Sequence, residues 1–132
     1  MRVVVDTNVL ISGTFFGGKP GMIVDAIADE RIRANASYAI LEEYNETITE
    51  VARKGYGNFN TSRFSSFVGK LTLVEPVTDV HVCRDPDDDK FISCAVDAKA
   101  LFIVSGDKDL LDIARYEGVE IITAAEFCKR YL

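Results

Sequence analysis

The sequence predicts an α/β fold built on a mostly parallel sheet. Three observations point there. Short apolar runs alternate with stretches of helical spacing along the whole chain. Those runs are near-continuously apolar, the pattern of strands covered by helices on both faces. The 132 residues are 48% hydrophobic, enough for one domain spanning residues 1–132 with a sizeable core.

Each element follows from local chemistry. Residues 3–5 (Val-Val-Val) make the first strand, ending at Asp6. Residues 13–20 (GTFFGGKP) read as a loop, because glycine and proline punctuate. Pro20 suits the first turn of the next helix, where Met22, Ile23, Ala26 and Ile27 recur at helical spacing. Residues 31–36 supply the second strand. Ser37 then caps a helix to about residue 54, with Ile40, Leu41, Tyr44, Ile48 and Val51 on one face. Residues 55–58 break it, and residues 61–70 form a further helix carrying Phe64, Phe67 and Val68. Residues 71–74 are the third strand, closed by Pro76. A loop over 78–86 leads to a helix from about Pro86 or Asp88 to Ala100, with Phe91, Ile92, Ala95 and Val96 inward. Residues 101–104 and 119–122 are the fourth and fifth strands, with a short helix over 108–116 between them. Thr123 and Glu126 open the last helix as a capping box.

Composition excludes several function classes. No apolar run reaches the roughly 18–20 residues that span a bilayer, and the amino terminus has no signal-peptide pattern, so a cytoplasmic protein is expected. Cys83, Cys94 and Cys128 are odd in number and widely spaced, which reads as free thiols. His81 is the only histidine, so Ser-His-Asp catalysis and histidine-rich metal chemistry have no support. The net charge of −6 argues against holding nucleic acid by bulk positive charge. It leaves room for an enzyme that meets phosphate through bound cations.

The acids carry the functional signal. Function in open α/β sheets gathers beyond the carboxyl ends of the strands. Asp6 stands at the end of strand one, and Asp107 just past strand four. Asp89 opens a helix, and Glu43 lies about two turns into the helix after strand two. Carboxylates converging from four segments repel unless neutralised. A hard divalent cation with oxygen ligands resolves that, and its chemistry suits phosphoryl hydrolysis. Each acid also has a structural reading. Asp6 could cap a helix, Glu43 could be solvated like Glu42, Glu46 and Glu50, and Asp107 and Asp109 could be turn acids. Asp85, Asp87, Asp88 and Asp89 could in part serve a helix amino terminus.

Taken together, Val3-Val4-Val5-Asp6-Thr7-Asn8-Val9-Leu10, Ser37-x-x-Ile40-Leu41-x-Glu43, Cys83-Arg84-Asp85-Pro86-Asp87-Asp88-Asp89-Lys90-Phe91 and Val104-Ser105-Gly106-Asp107-Lys108-Asp109-Leu110 resemble the PIN-domain family. The closing Ile121-Ile122-Thr123-x-x-Glu126-Phe127 fits too. The resemblance covers nearly the whole chain and extends to the VapC-like ribonuclease toxins of toxin–antitoxin systems. It implies a three-layer α/β/α sandwich with a central five-stranded parallel sheet. It implies an endoribonuclease dependent on Mg²⁺ or Mn²⁺ that leaves a 5′-phosphate and a 3′-hydroxyl. It maps the catalytic and metal-binding acids to Asp6, Glu43, Asp89 and Asp107, with Asp109 a further metal-site acid and Ser105 and Asn8 in support. Asp85 and Asp88 are rivals for part of that work, and Glu42 is the neighbouring rival of Glu43. An RNA substrate, an antitoxin protein and a homodimer are the implied partners. The acidic charge departs from many such toxins, so Lys19, Arg53, Lys54, Lys90 and Lys108 are candidates for local RNA contacts.

Two rival readings remain. One is a Mg²⁺-dependent phosphohydrolase of another α/β family. Asn8 stands where a dehalogenase-like pattern wants a second Asp, and Glu75-Pro76 stands where a receiver wants its acceptor. The other is a non-catalytic binding or oligomerisation module that uses exposed Phe15 and Phe16 and the segment from Phe59 to Phe67.

Overall fold

The computed structural model describes residues 1–55 and 60–132. The elements in order are β1 (Arg2–Val5), α1 (Thr7–Phe15), α2 (Gly18–Ala28), β2 (Arg33–Ala36), α3 (Tyr38–Arg53), α4 (Thr61–Gly69) and β3 (Thr72–Leu73). A 3-10 turn (Pro86–Asp88) precedes α5 (Asp89–Ala98). Then come β4 (Phe102–Val104), α6 (Lys108–Ile113), β5 (Arg115–Tyr116), β6 (Val119–Ile122) and α7 (Ala124–Tyr131).

The strands lie in the order β3-β2-β1-β4-β6-β5. All neighbours are parallel except β5, which runs antiparallel to β6. Val3, Val4 and Val5 are all fully buried, as are Ile103 and Val104. Successive strand residues point to opposite faces, so both faces of the sheet are covered. This is the predicted α/β architecture, with the five predicted strands and one more.

The sixth strand corrects the expected five-stranded sheet. The predicted helix over 108–116 stops at Ile113, where Ala114 takes a φ of 65°. Residues 115–116 then form β5, turned back into β6 by Glu117 (φ 47°) and Gly118 (φ 83°). Two consecutive positive φ angles make a two-residue hairpin.

The second correction is α1. Residues 13–15 were expected in a loop, but helix continues through them. Val9, Leu10, Gly13, Thr14 and Phe15 are all buried, so the segment lacks the polar face that marks a helix in sequence. Gly13 serves packing here. A Cβ at this position would stand 2.9 Å from both the Pro20 carbonyl oxygen and Val24 Cγ2. A side chain cannot fit between α1 and α2, so glycine sits at their crossing. Helix α2 starts at Gly18, two residues before Pro20, and Met22 on it is exposed. Arg63 on α4 ties the group together: it grips Asp25 at 2.9 and 3.1 Å and donates to the Gly13 carbonyl oxygen at 2.9 Å.

Other expectations hold. Ser37 Oγ accepts from the Ile40 N–H at 3.2 Å, and Thr123 Oγ1 from the Glu126 N–H at 3.1 Å. Phe67 is fully buried and Phe15 nearly so, which removes Phe15 from the exposed pair, while Phe16 is 70% exposed. Phe59, proposed for a partner surface, lies outside the described residues, as do the helix-breaking residues 56–58. Cys94 and Cys128 are buried and Cys83 is half-buried, all three as free thiols. Burial pushes the Cys83 and Cys94 thiols up to about 12, so neither is a thiolate at neutral pH. Among the described residues no helix is long and apolar enough to cross a membrane.

Candidate metal centre at the strand ends

The sheet order fixes where a site can form. From β1 the chain winds outward to β2 and β3, then returns to the other side of β1 to lay down β4. The crevice beyond the carboxyl ends of β1 and β4 is therefore the topological switch point. Asp6 follows β1, and Ser105 and Asp107 follow β4. Each aspartate takes an extended backbone at the N-cap position of the next helix, α1 or α6; the Asp107 side chain caps α6, while the Asp6 side chain makes no capping bond to α1. A residue leaving a strand to cap a helix must face that edge, so local chain geometry brings both carboxylates there.

Asp6 is only 6% exposed. Its Oδ2 accepts a 2.6 Å hydrogen bond from Ser105 Oγ, which in turn accepts from the Asp107 N–H at 3.0 Å. Burial raises the Asp6 pKa; Ser105 and the Thr7 amide oppose this, and the charges of Asp107 and Glu43 add to it. Asp107 Oδ1 accepts from the Asp109 N–H at 3.0 Å.

Glu43 reaches the cluster from α3. The next residue, Tyr44, is fully buried and donates to the Val5 carbonyl oxygen at 2.5 Å, which fixes α3 against the end of β1. One Glu43 oxygen accepts from Thr7 Oγ1. The other lies 2.6 Å from Lys90 Nζ, which also holds Asp87 at 3.0 Å. Its neighbour Glu42 is exposed, whereas Glu43 is half-buried.

Within the 85–89 cluster, Asp88 is the acid that feels the charges of Asp107, Asp6 and Glu43, whereas sequence reasoning preferred Asp89. Asp88 is half-buried and its carboxyl is pushed up to about 7. Burial is the main cause, followed by the charges of Asp107, Asp6, Asp85 and Glu43. Asp89 faces elsewhere. Its Oδ1 accepts from the Val82 N–H at 3.1 Å and the Cys83 N–H at 2.9 Å. Burial pulls its pKa upward, but the Cys83 and Val82 hydrogen bonds outweigh that and hold it low. A sequence signal for Asp88 did exist. It lies three, four and seven residues before the buried Phe91, Ile92 and Ala95, which is the inward stripe of α5.

The remaining acids sort by contact. Asp85 and Asp87 are exposed, with Asp85 capping the 3-10 turn and Asp87 on Lys90. Asp109 lies 3.8 Å from Arg84. His81 is exposed and pairs with Asp79. Beside the acids, Asn8, Ser12, Ser105 and Gly106 help line a cavity of about 280 Å³.

The donor chemistry fits a hard cation: three aspartates and a glutamate, with Asp6 and Asp88 made reluctant to ionise by burial and, after it, by the charges of the others. The fit is not a closed cage. Among the described residues no three acid, histidine or cysteine side chains already stand as a ligand set. The aspartates would need to draw together around an ion.

Comparison with known proteins agrees with this architecture. A PIN-domain family profile matches residues 2–109. The uncharacterized protein MJ1680 of Methanocaldococcus jannaschii is 39% identical over 117 residues, covering 86% of this chain and 75% of that protein. The crystal structure of VapBC2 from Rickettsia felis bound to a DNA fragment from their promoter matches with a TM-score of 0.60. That match covers 92% of this chain and 97% of the other at 13% identity, a likeness of fold. With β1, α1 and the acid-bearing ends of β1 and β4 all inside the matched region, the chain belongs to the PIN-domain family.

Proposed function

We propose that this protein is a divalent-cation-dependent endoribonuclease that hydrolyses single-stranded or structured RNA and acts as the toxin of a toxin–antitoxin pair. The observation that carries the reading is the gathering of Asp6, Asp88, Asp107 and Glu43 at the switch point, where burial first and the neighbouring charges second lift the Asp88 carboxyl to about 7. Carboxylates gathered in a partly buried place are unfavourable for a structural role and well suited to a Mg²⁺ or Mn²⁺ ion.

Asp6, Asp88 and Asp107 would hold the ion. When bound, it supplies charge neutralisation on the phosphodiester and activation of water. Ser105 fixes the rotamer of Asp6 and orients the backbone of Asp107. Glu43, held by Thr7 and Lys90, stands beside the aspartates to orient the attacking water. An ion also supports RNA binding by a chain of net charge −6, since it presents positive charge where the protein does not. The PIN-domain membership supports the ribonuclease and the antitoxin partner, and a homodimer is part of the same proposal.

The test is Asp6→Asn. It removes one charge and preserves shape. It should abolish Mg²⁺-stimulated cleavage of single-stranded RNA while the circular dichroism spectrum stays unchanged. Full activity in the variant would sink the assignment. Calorimetric titration with Mn²⁺ separates this reading from a pure binding module, which should take up no ion at this site.

A further inference from the structure

Lys90 sets an ammonium inside an acidic cluster. It follows Asp88 and Asp89 in the first turn of α5, and its side chain is only 19% exposed. Its Nζ lies 2.6 Å from Glu43 Oε1 and 3.0 Å from Asp87 Oδ2. The other Glu43 oxygen, Oε2, is taken by Thr7 Oγ1 from α1. Both oxygens of Glu43 are thus engaged by partners fixed on two different helices. Asp88, in contrast, makes no side-chain cap hydrogen bond to α5.

We propose that Lys90 is the resident counter-ion of Glu43, reserving that carboxylate so that a divalent cation is held by the aspartates alone. This rests on the reading of the cluster as a cation site. A divalent ion that ligated Glu43 Oε1 directly would meet the ammonium at contact distance, and two cations on one oxygen repel. Either the ion stays off Glu43 or Lys90 must leave. Lys90 has reasons to stay, because it keeps Asp87 as a second anchor and much of its stem is buried. The arrangement keeps Glu43 unligated beside the ion. A group that orients water needs that state. Lys90 is therefore a positioning residue, acting through Glu43.

The test is Mn²⁺ affinity measured by calorimetry on the whole chain without RNA. Lys90→Met should tighten Mn²⁺ binding about tenfold, since Glu43 is freed to join the aspartates. Adding Glu43→Gln to that variant should return the affinity to the wild-type value. Lys90→Arg, which keeps the charge, should bind like wild type. Lys90→Gln gives the same measurement if methionine disturbs the fold, as thermal melting would reveal. Unchanged or weaker binding in both Lys90→Met and Lys90→Gln overturns the proposal. So does a double variant that stays tight, because Lys90 would then act only as background charge. Asp107→Asn is measured in parallel. If it binds Mn²⁺ like wild type, the cation site itself is wrong. If it loses binding while the Lys90 variants change nothing, only the role of Lys90 fails.

Discussion

Ser105 Oγ donates to Asp6 Oδ2 at 2.6 Å and accepts from the Asp107 N–H at 3.0 Å, so one buried hydroxyl joins the ends of β1 and β4. Ser105 is fully buried. The loss of a buried hydrogen-bond partner costs about 1–3 kcal/mol. Ser105→Ala should lower stability by that amount in urea unfolding. It should also weaken Mn²⁺ binding, because the Ser105 hydrogen bond favours the ionised form of Asp6. Unchanged stability and affinity together would refute the link between the two strands.

Asp88 and Asp89 are adjacent and chemically identical, yet the charges of Asp6, Asp107 and Glu43 act on Asp88 while the Val82 and Cys83 amides hold Asp89. Asp88→Asn should lower RNA cleavage about 100-fold or more, in line with the loss of a catalytic-site group. Asp89→Asn should retain ion binding and lose stability, since its carboxylate holds the Val82 and Cys83 amides. Hydrogen bonds to charged groups contribute about 1.5–3 kcal/mol each, so the melting temperature is the sensitive readout. The opposite pattern would return the site to Asp89.

The raised carboxyls set a pH dependence. The folded Asp88 value of about 7 lies above its ordinary value of 3.8. Between those limits the unfolded chain has released a proton that the fold still holds, so this group's contribution to stability declines as pH rises. The contribution is full below 3.8 and gone once pH has risen through about 7. Ion binding runs the other way, because the ion needs the carboxylate. Mn²⁺ affinity should fall up to about tenfold per pH unit below pH 7 for this one proton. Added Mg²⁺ should offset the stability lost near neutral pH, and thermal melts at pH 5 and pH 7.5 with and without the ion check both signs.

Gly13→Ala tests the crossing of α1 and α2. The added methyl meets the Pro20 backbone and Val24 at 2.9 Å, and the helices must move apart. Overpacking of this kind costs about 1–3 kcal/mol. Because Asp6 is the N-cap residue of α1, the shift should also weaken Mn²⁺ binding. A variant as stable as wild type would show that the contact is looser than these distances state.

Much of the fold was legible because its signals are local. The valine run of β1, the Ser37 and Thr123 caps and the inward stripe of α5 each arise within a few residues, and each forms where expected. Helix α1 was hidden for a physical reason: packed on nearly every side, it shows no polar face. Strand β5 was hidden because two residues that continue a helical pattern instead pair with β6.

The sequence by itself determined that acids would stand at the ends of β1 and β4, since a strand that ends on an aspartate leaves it at the sheet edge. Only the tertiary structure decided which neighbours join them. It set Glu43 rather than Glu42 beside Thr7 and Lys90 through the packing of Tyr44 on Val5, and it set Asp88 near Asp6 and Asp107 while Asp89 accepts from the Val82 and Cys83 amides. It also set Lys90 against Glu43. Those choices depend on how far each helix is rotated against its neighbours, and contacts distant in the chain set that rotation.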